Sequence, residues 1–426
     1  MKICMMTNTY LPHVGGVAKS VATFTEEYRR LGHDVLVVAP EFEGKPLPKR
    51  AESLVERVPA IQKFNGSDFS VRLPLAAGLS DRIDQFQADV IHAHHPFLLG
   101  DTALRISVGK AAPVIFTHHT RYEDYTHYVP FDSPALKEVA IHLSTHFANL
   151  CDGVIAPSES IAELIKSRGV ETPIRVVPTG IDVDAFAAGD GPKFRRKIGL
   201  PARAFVVGHV GRLAPEKNLG YLAKAVAEFL SAHEDAWFLV VGAGPSEDEI
   251  KQVCEKRGVA ERLVMAGKQT GRALADAYQA MDVFAFASFS ETQGMVLAEA
   301  MAAGLPVVAL NASGVREVLR HNKNGFMLGP KTPAKRFAAA LEKLKSNPDL
   351  AAALAREARR TAESFSATLC AERALDFYTE VRRATRRERM MLEQSPWNQW
   401  VERLRVEWNL LAEKTQTIVD AVNAVT

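Results

Sequence analysis

The sequence predicts an α/β protein of two doubly wound domains, and three observations carry that reading. The first half alternates short, nearly continuous apolar runs with helical patterns. The series then restarts after a Gly/Pro-bearing polar stretch near 187–201. Both halves lack the period-2 alternation of a sheet wetted on one face, so each is read as a parallel sheet covered on both sides.

In order, "ICMMT", "VLVVA", "DVIHA", "PVIFT", "GVIAP" and "IRVVP" are the strands of the first domain. Between the first two lies "GVAKSVATFTEEYRRLG", a helical pattern ending at Gly32 as a C-cap. "FVVGHV", "WFLVV", "RLVMAG", "VFAFA" and "PVVAL" are the strands of the second, with "LGYLAKAVAEFLSAH" as one intervening helix. Two such series place a ligand cleft at strand C-termini that face each other. The expected domains are 1–190, 191–380 and a helical extension, 381–426.

That extension has two readings. Its pattern is helical, broken at Pro396, with Trp397, Trp400, Val401, Leu404, Trp408 and Leu411 available as one apolar stripe. The preferred reading is a helix returning to pack on the domains. The alternative is a membrane-surface or oligomer contact, because Arg382, Arg383, Arg386, Arg387 and Arg389 stand beside the aromatic face.

Composition bounds the function. A chain of 426 residues that is 47% apolar, 24% charged and of net charge +2 is a globular protein, not a dedicated nucleic-acid binder. Cys4, Cys151, Cys254 and Cys370 are scattered without CxxC spacing, which suits a reducing cytosol and no zinc finger. No signal peptide or membrane-spanning run is visible, so a cytoplasmic protein is expected, with attachment to the inner face of a membrane left open.

Chemistry gathers in two strand-to-helix turns of the second half. "VFAFASFSETQGMVLAEAM" runs strand, polar loop, glycine, helix, placing the amides of Gly294, Met295 and Val296 at a helix N-terminus suited to an anion. Glu291 lies in the loop and Glu299 inside a small-residue helix, where a carboxylate is costly unless it serves a partner. Carboxylates suit sugar diols; alternatively Glu291 is a solvated loop acid and Glu299 caps a backbone amide. "VGHVGRLAPEKNLGYLAKAV" adds Arg212 and Lys217, a fork and a point charge that can clamp a diphosphate, or else two surface cations. Together the acids and cations point to a nucleotide-sugar pocket.

On these residues the chain resembles the retaining glycosyltransferases of family 4, with the two-Rossmann GT-B fold, across most of residues 1–380. The carrying element is the E-x7-E signature, Glu291 through Glu299. "GRLAPEKN", "VVGAGP", "VVPTGID", "APSES", "GVREVL" and "NGF" support it. The resemblance implies that Glu299 binds the donor ribose and Glu291 the hydroxyls of the transferred sugar. It gives Arg212 and Lys217 the departing diphosphate, and the Gly294, Met295 and Val296 amides the sugar and phosphates. "YLPHVGGVAKS" then brings Gly15 and Gly16 to the donor phosphates, and "PVIFTHHTRYEDYTHYVP" makes His119 the residue beside the transferring sugar, with His118 as the competing register. The donor is expected to be a UDP-sugar and no cofactor is implied. Retention implies that the leaving phosphate takes the acceptor proton on the face of attack.

Metal is not expected. "HAHH" and "HH" offer at most part of a zinc site each, because adjacent strand residues point to opposite faces. Asp182-Val183-Asp184 follows "PTG" instead of a strand end beside the donor. The acceptor is a hydroxyl, with a lipid modestly preferred: "SETQG" and "THHTRYEDYTHYVP" look most similar to diacylglycerol glucosyltransferases, and Tyr122, Tyr125, Tyr128 and Phe131 can line a channel. A polysaccharide precursor or small metabolite is the alternative acceptor. A phosphorylase or sucrose-type synthase, and a non-catalytic sugar-nucleotide scaffold, are the competing functions. Oligomeric state is not readable.

Overall fold

Every apolar run named above becomes a strand of one of two parallel sheets. A computed structural model describes residues 1–13, 15–42, 48, 52, 54–61, 71–72, 79–108, 110, 112–119, 134–289, 291–394, 398–399 and 401–410. Tyr122, Tyr125, Tyr128, Phe131, Trp397, Trp400 and Leu411 lie outside these residues. The chain divides into two compact units: Met1–Gly180 with Cys370–Thr426, and Ile181–Leu369.

In the first unit β1 (Lys2–Met6), β2 (Asp34–Pro40), β3 (Val55–Val58), β6 (Val90–Ala93), β7 (Val114–Thr117), β8 (Gly153–Ala156) and β9 (Ile174–Val176) form a seven-stranded sheet. Their order is β3-β2-β1-β6-β7-β8-β9, and every pairing is parallel. A small antiparallel pair, β4 (Ala60–Ile61) and β5 (Val71–Arg72), stands apart. Successive side chains of one strand face opposite ways, so β1 feeds two cores. Cys4 and Met6 join Leu36, Ile91, Phe116 and Phe147. Ile3 and Met5 join Val21, Phe24 and Tyr28 of the Gly16–Arg30 helix.

The second core is completed from far along the chain. The Ala367–Gln394 helix lays Cys370, Ala371, Ala374, Phe377, Tyr378 and Val381 on the Ile3–Met5 face. Polar anchors fix its path. Tyr378 Oη lies 2.9 Å from Tyr28 Oη and 2.6 Å from His92 Nδ1. Arg382 donates to Asp89 Oδ1 (2.6 Å) and Arg389 pairs with Asp152. Asp89 and Asp152 also accept from the amides of Lys2 and Val114, so each carboxylate ties this helix to a strand start.

Packing on the first unit is therefore what the described part of the extension does, with two revisions. Arg382 and Arg389 belong to internal ion pairs, leaving Arg383, Arg386 and Arg387 exposed. In the helical stretch 401–410 the packed face is Val406 and Leu410, which enter the core shared with Phe147. Val401, Leu404 and Trp408 stand on the opposite face, Trp408 at 70% exposure. Of the stripe read from sequence, the described members Val401, Leu404 and Trp408 form the outer face.

In the second unit β10 (Phe205–Val210), β11 (Ala236–Val241), β12 (Leu263–Met265), β13 (Val283–Phe286), β14 (Val307–Leu310) and β15 (Gly325–Leu328) form a parallel sheet ordered β12-β11-β10-β13-β14-β15. Helices Leu219–Ala232 and Ala334–Lys345 cover one face. Gly271–Gln279, Met295–Ala302 and Pro348–Glu363 cover the other. Against the boundaries of 190 and 380 drawn from sequence, the units part at 180/181 and 369/370. The reason is packing: Ile181, Phe186 and Phe194 are buried in the second unit's core, and the polar stretch before β10 forms short helices that cap it.

Candidate active site

In the second unit the chain leaves β10 toward β11 and enters β13 from the other side, so the loops beyond these neighbouring strands diverge. A crevice opens where strand order reverses. β10 and β13 stay in register at Val207↔Val283 and Gly208↔Phe284. Beyond that the His209 ring takes over, its Nδ1–H donating to the Ala285 carbonyl (3.2 Å). Burial holds His209 at a pKa of about 4, so the ring is neutral near pH 7.

The β10 loop carries Arg212 and Lys217. It is braced by the "VVGAGP" turn: Leu213 N donates to Ala243 O (3.0 Å) and Ser246 N to Leu213 O (2.8 Å). A Cβ on Gly242 would lie 1.9 Å from Gly211 O, and one on Gly244 2.4 Å from Leu213 O. These glycines serve backbone contact. At the loop's far end Asn218 takes the left-handed conformation (φ 55°), and its Nδ2 donates to Ala287 O (3.3 Å).

The β13 loop carries Glu291 and ends at Gly294, whose φ of +73° favours glycine. A Cβ there would meet Gly314 O at 2.5 Å, and Gly314 in turn lies under Glu291. Gly314 N and Ser313 Oγ both donate to Glu291 O, at 3.0 and 3.2 Å. Helix Met295–Ala302 starts at this point, and its first amides have no acceptor within the helix. Lys217 Nζ donates to Glu291 Oε1 across the crevice (2.5 Å), with both side chains mostly buried. Arg212 pairs with Glu216 on its own loop.

Glu299 is 3% exposed and accepts from Tyr278 Oη (2.9 Å). Tyr278 is fully buried; burial, then the Glu299 charge, raises its pKa well above the usual phenol value, which keeps the donor protonated. The acid inside "LAEAMAA" thus has a side-chain donor within the unit, where the sequence offered only a ligand or a backbone amide.

The first unit has its own switch point, between β1 and β6. The turn after β1 leads through Gly15, the N-cap of the Gly16–Arg30 helix; an added Cβ on Gly16 would meet nothing within 4 Å. Asn8 spans the divergence: its N donates to His95 Nδ1 (3.1 Å), its Nδ2 to Phe97 O (3.1 Å), and its Oδ1 accepts from Leu99 N (3.2 Å). After β7, His118 is 2% exposed with its ring edge-on to Phe116. His119 is half-buried, and its Nε2 lies 2.8 Å from His94 Nδ1. Of the two adjacent histidines, His119 is the accessible one.

The structure therefore brings Lys217 onto Glu291 beside Gly294 in the second unit, with Arg212 on the loop that carries Lys217 and Met295, Val296 and Glu299 on the helix that starts after Gly294. In the first, Gly15 and Gly16 stand at the start of the Gly16–Arg30 helix and His119 just past the end of β7. Tyr278 lies outside every motif quoted from sequence; Gly314, His209 and His94 stood within "GVREVL", "VGHVGRLAPEKNLGYLAKAV" and "HAHH" without a role in the site. Asp182 caps the Val183–Ala187 helix, accepting from Ala185 N (2.9 Å). Among the described residues no group of three or more His, Cys, Asp or Glu can hold a metal ion.

Two parallel, doubly wound units with ligand crevices at their switch points define the GT-B class of glycosyltransferases. Residues 14–185 match the family model for Glycosyltransferase Family 4, and residues 190–361 that for Glycosyl transferases group 1. An alpha-monoglucosyldiacylglycerol synthase of Streptococcus pneumoniae is 31% identical over 319 residues, 72% of this chain and 71% of that protein. A GDP-mannose-dependent alpha-mannosyltransferase of Mycobacterium tuberculosis is 30% identical over 367 residues, 85% and 90% of the two chains. The crystal structure of Anabaena HepE in complex with UDP and glucose superposes with a TM-score of 0.70, at 23% identity over 89% of this chain and 100% of that one. The chain belongs to the family 4 glycosyltransferases, enzymes that draw on a sugar-nucleotide donor.

Proposed function

We propose that the protein transfers a hexosyl group from a UDP-sugar to the hydroxyl of a lipid acceptor, with retention of configuration. The observation that carries the donor reading is the Lys217–Glu291 pair beside the start of the Met295–Ala302 helix. One crevice holds a cation and helix amides for phosphates and a carboxylate for hydroxyls. In this reading Lys217 and Arg212 neutralise the departing diphosphate, Glu291 grips the hexose, and Glu299, oriented by Tyr278, takes the ribose. In the same reading Gly15 and Gly16 bind the phosphates, and His119 meets the transferring sugar. Charge leaves with the phosphate, which takes the acceptor proton, so no separate base is needed.

A lipid acceptor is supported by the alpha-monoglucosyldiacylglycerol synthase among the relatives and by the outward Val401, Leu404 and Trp408, an amphipathic face suited to a bilayer surface. The mannosyltransferase relative supports GDP-mannose as the second donor to try. The test is transfer from UDP-glucose, UDP-galactose and GDP-mannose to diacylglycerol in vesicles and to soluble sugars, with the product's anomeric configuration read by NMR. A lipid-linked α-product from a UDP-hexose is expected. Exclusive transfer to a soluble acceptor overturns the lipid assignment, and a β-product overturns retention.

A further inference from the structure

His94 follows β6 and is fully buried. Its ring stacks on His119, centroids 5.1 Å apart at 25°, with Nδ1 2.8 Å from His119 Nε2. On its other side His92 lies at 4.0 Å between centroids, itself held at both nitrogens by Thr117 Oγ1 (2.7 Å) and Tyr378 Oη (2.6 Å). His94 Nε2 is buried with no hydrogen-bond partner among the described residues. The ring's one hydrogen bond there goes to His119.

A contact of 2.8 Å between two neutral imidazoles holds one proton. Burial, then neighbouring imidazoles, keep both rings well below the ordinary histidine value, so both are neutral near pH 7. The orphaned nitrogen separates the two arrangements. If His119 donated, His94 would carry its proton on Nε2, a buried N–H without an acceptor, which folded proteins rarely tolerate. With the proton on Nδ1, His94 Nε2 is a bare lone pair and every ring N–H in the pair can be used.

We infer that His94 is a positioning residue whose Nδ1–H holds His119 in its Nδ1–H tautomer. The inference rests on His119 lying beside the transferring sugar. It assigns His119 the polarity of a donor: the ring's lone pair is spent on His94, and the free N–H is left for a sugar oxygen. His119 then does not act as a base toward the acceptor hydroxyl, which fits proton transfer to the leaving phosphate. Nδ1 of a histidine and the amide nitrogen of an asparagine both branch from Cγ, so His94→Asn keeps a donor where His94→Leu removes it.

The experiment pairs kinetics with 15N spectra of the full-length protein labelled at histidine. In the unmodified protein the His119 signals, assigned with His119→Gln, are expected to show Nδ1 protonated and Nε2 bare. His94→Leu is expected to convert them to a tautomer mixture. It should lower kcat about tenfold, the worth of one neutral hydrogen bond, with the donor KM within about twofold. His94→Asn is expected to restore most of kcat. A protonated Nε2 on His119 in the unmodified protein overturns the inference, as does a folded His94→Asn as slow as His94→Leu. The spectrum judges the pair even if His94→Leu does not fold. Unchanged kcat in His119→Gln would instead remove His119 from the sugar and leave the tautomer assignment standing.

Discussion

Lys217 Nζ and Glu291 Oε1 lie 2.5 Å apart and close the crevice between the loops leaving β10 and β13. In the proposed roles, the cation that binds phosphate is paired here with the acid that binds hydroxyls. On the proposed function, a nucleoside diphosphate would compete with Glu291 for Lys217, and a full sugar nucleotide would offer each group a new partner. Glu291→Gln should therefore separate binding from turnover. UDP alone is expected to bind up to about fivefold tighter, the worth of one partly exposed ion pair. Transfer should fall by about 100-fold, as on loss of a transition-state contact. Calorimetry with UDP and steady-state kinetics measure the two. Weaker UDP binding would show that the pair assists the diphosphate.

Tyr278→Phe removes one hydroxyl and nothing else from a closed core. The lost hydrogen bond to a buried carboxylate should cost about 1.5–3 kcal/mol of stability. It should also raise the donor KM, because Glu299 loses the group that aims it. Chemical denaturation and donor titration check both. Stability equal to the parent would mean that Tyr278 does not hold this acid.

Gly294→Ala asks a left-handed residue to accept a Cβ directed at Gly314 O. Conformational strain and overlap should together exceed about 2 kcal/mol. For a domain of this size that is a fall of about 4 °C or more in Tm. Scanning calorimetry reads the melting point, and donor titration should show binding lost with the helix start. An unshifted Tm with normal donor affinity would contradict the strained turn.

Acid should destabilise the fold through neutral buried histidines. Burial lowers His92 and His95 to about 3 and His209 to about 4. Below pH 6.5 the unfolded chain binds protons that the native state refuses, so stability is full above that value and falls as pH drops toward 4. Each site should cost on the order of 3 kcal/mol by pH 4. His209→Gln is expected to be less stable at pH 7.5 yet to lose less between pH 6.5 and 4.5. Urea midpoints across that range decide it, and parallel curves would count against His209.

Most of the fold was legible because strands covered on both faces are apolar throughout. The exceptions sit at sheet edges. β3 reads "VERV", with charges where a central strand has none, and its side chains are only partly buried except at Val58. β15 is four residues long and begins with Gly325, whose Cβ would lie 2.1 Å from Val307 O. The candidate site was legible where chemistry is unusual for its local setting, as at Glu291, Glu299 and Lys217. Its supports were not. Tyr278 reaches Glu299 over 21 residues and His94 reaches His119 over 25, distances that only the sheet brings together. The outer stripe of 401–410 shows the opposite limit: an apolar pattern tells that a face exists, and not which of two faces packs.

The Ala367–Gln394 helix has a temporal consequence. The Ile3–Met5 side of the first sheet has to wait for Cys370, Phe377 and Tyr378. A ribosome needs roughly 10–40 s to add the second unit, residues 181–369, at about 5–20 per second. By then the unit ending at Leu369 has emerged whole. The amino-terminal half of the polypeptide is thus the last to be finished, and a nascent chain halted before residue 370 carries an apolar sheet face covered only in part, by the Gly16–Arg30 helix, that invites chaperones or aggregation.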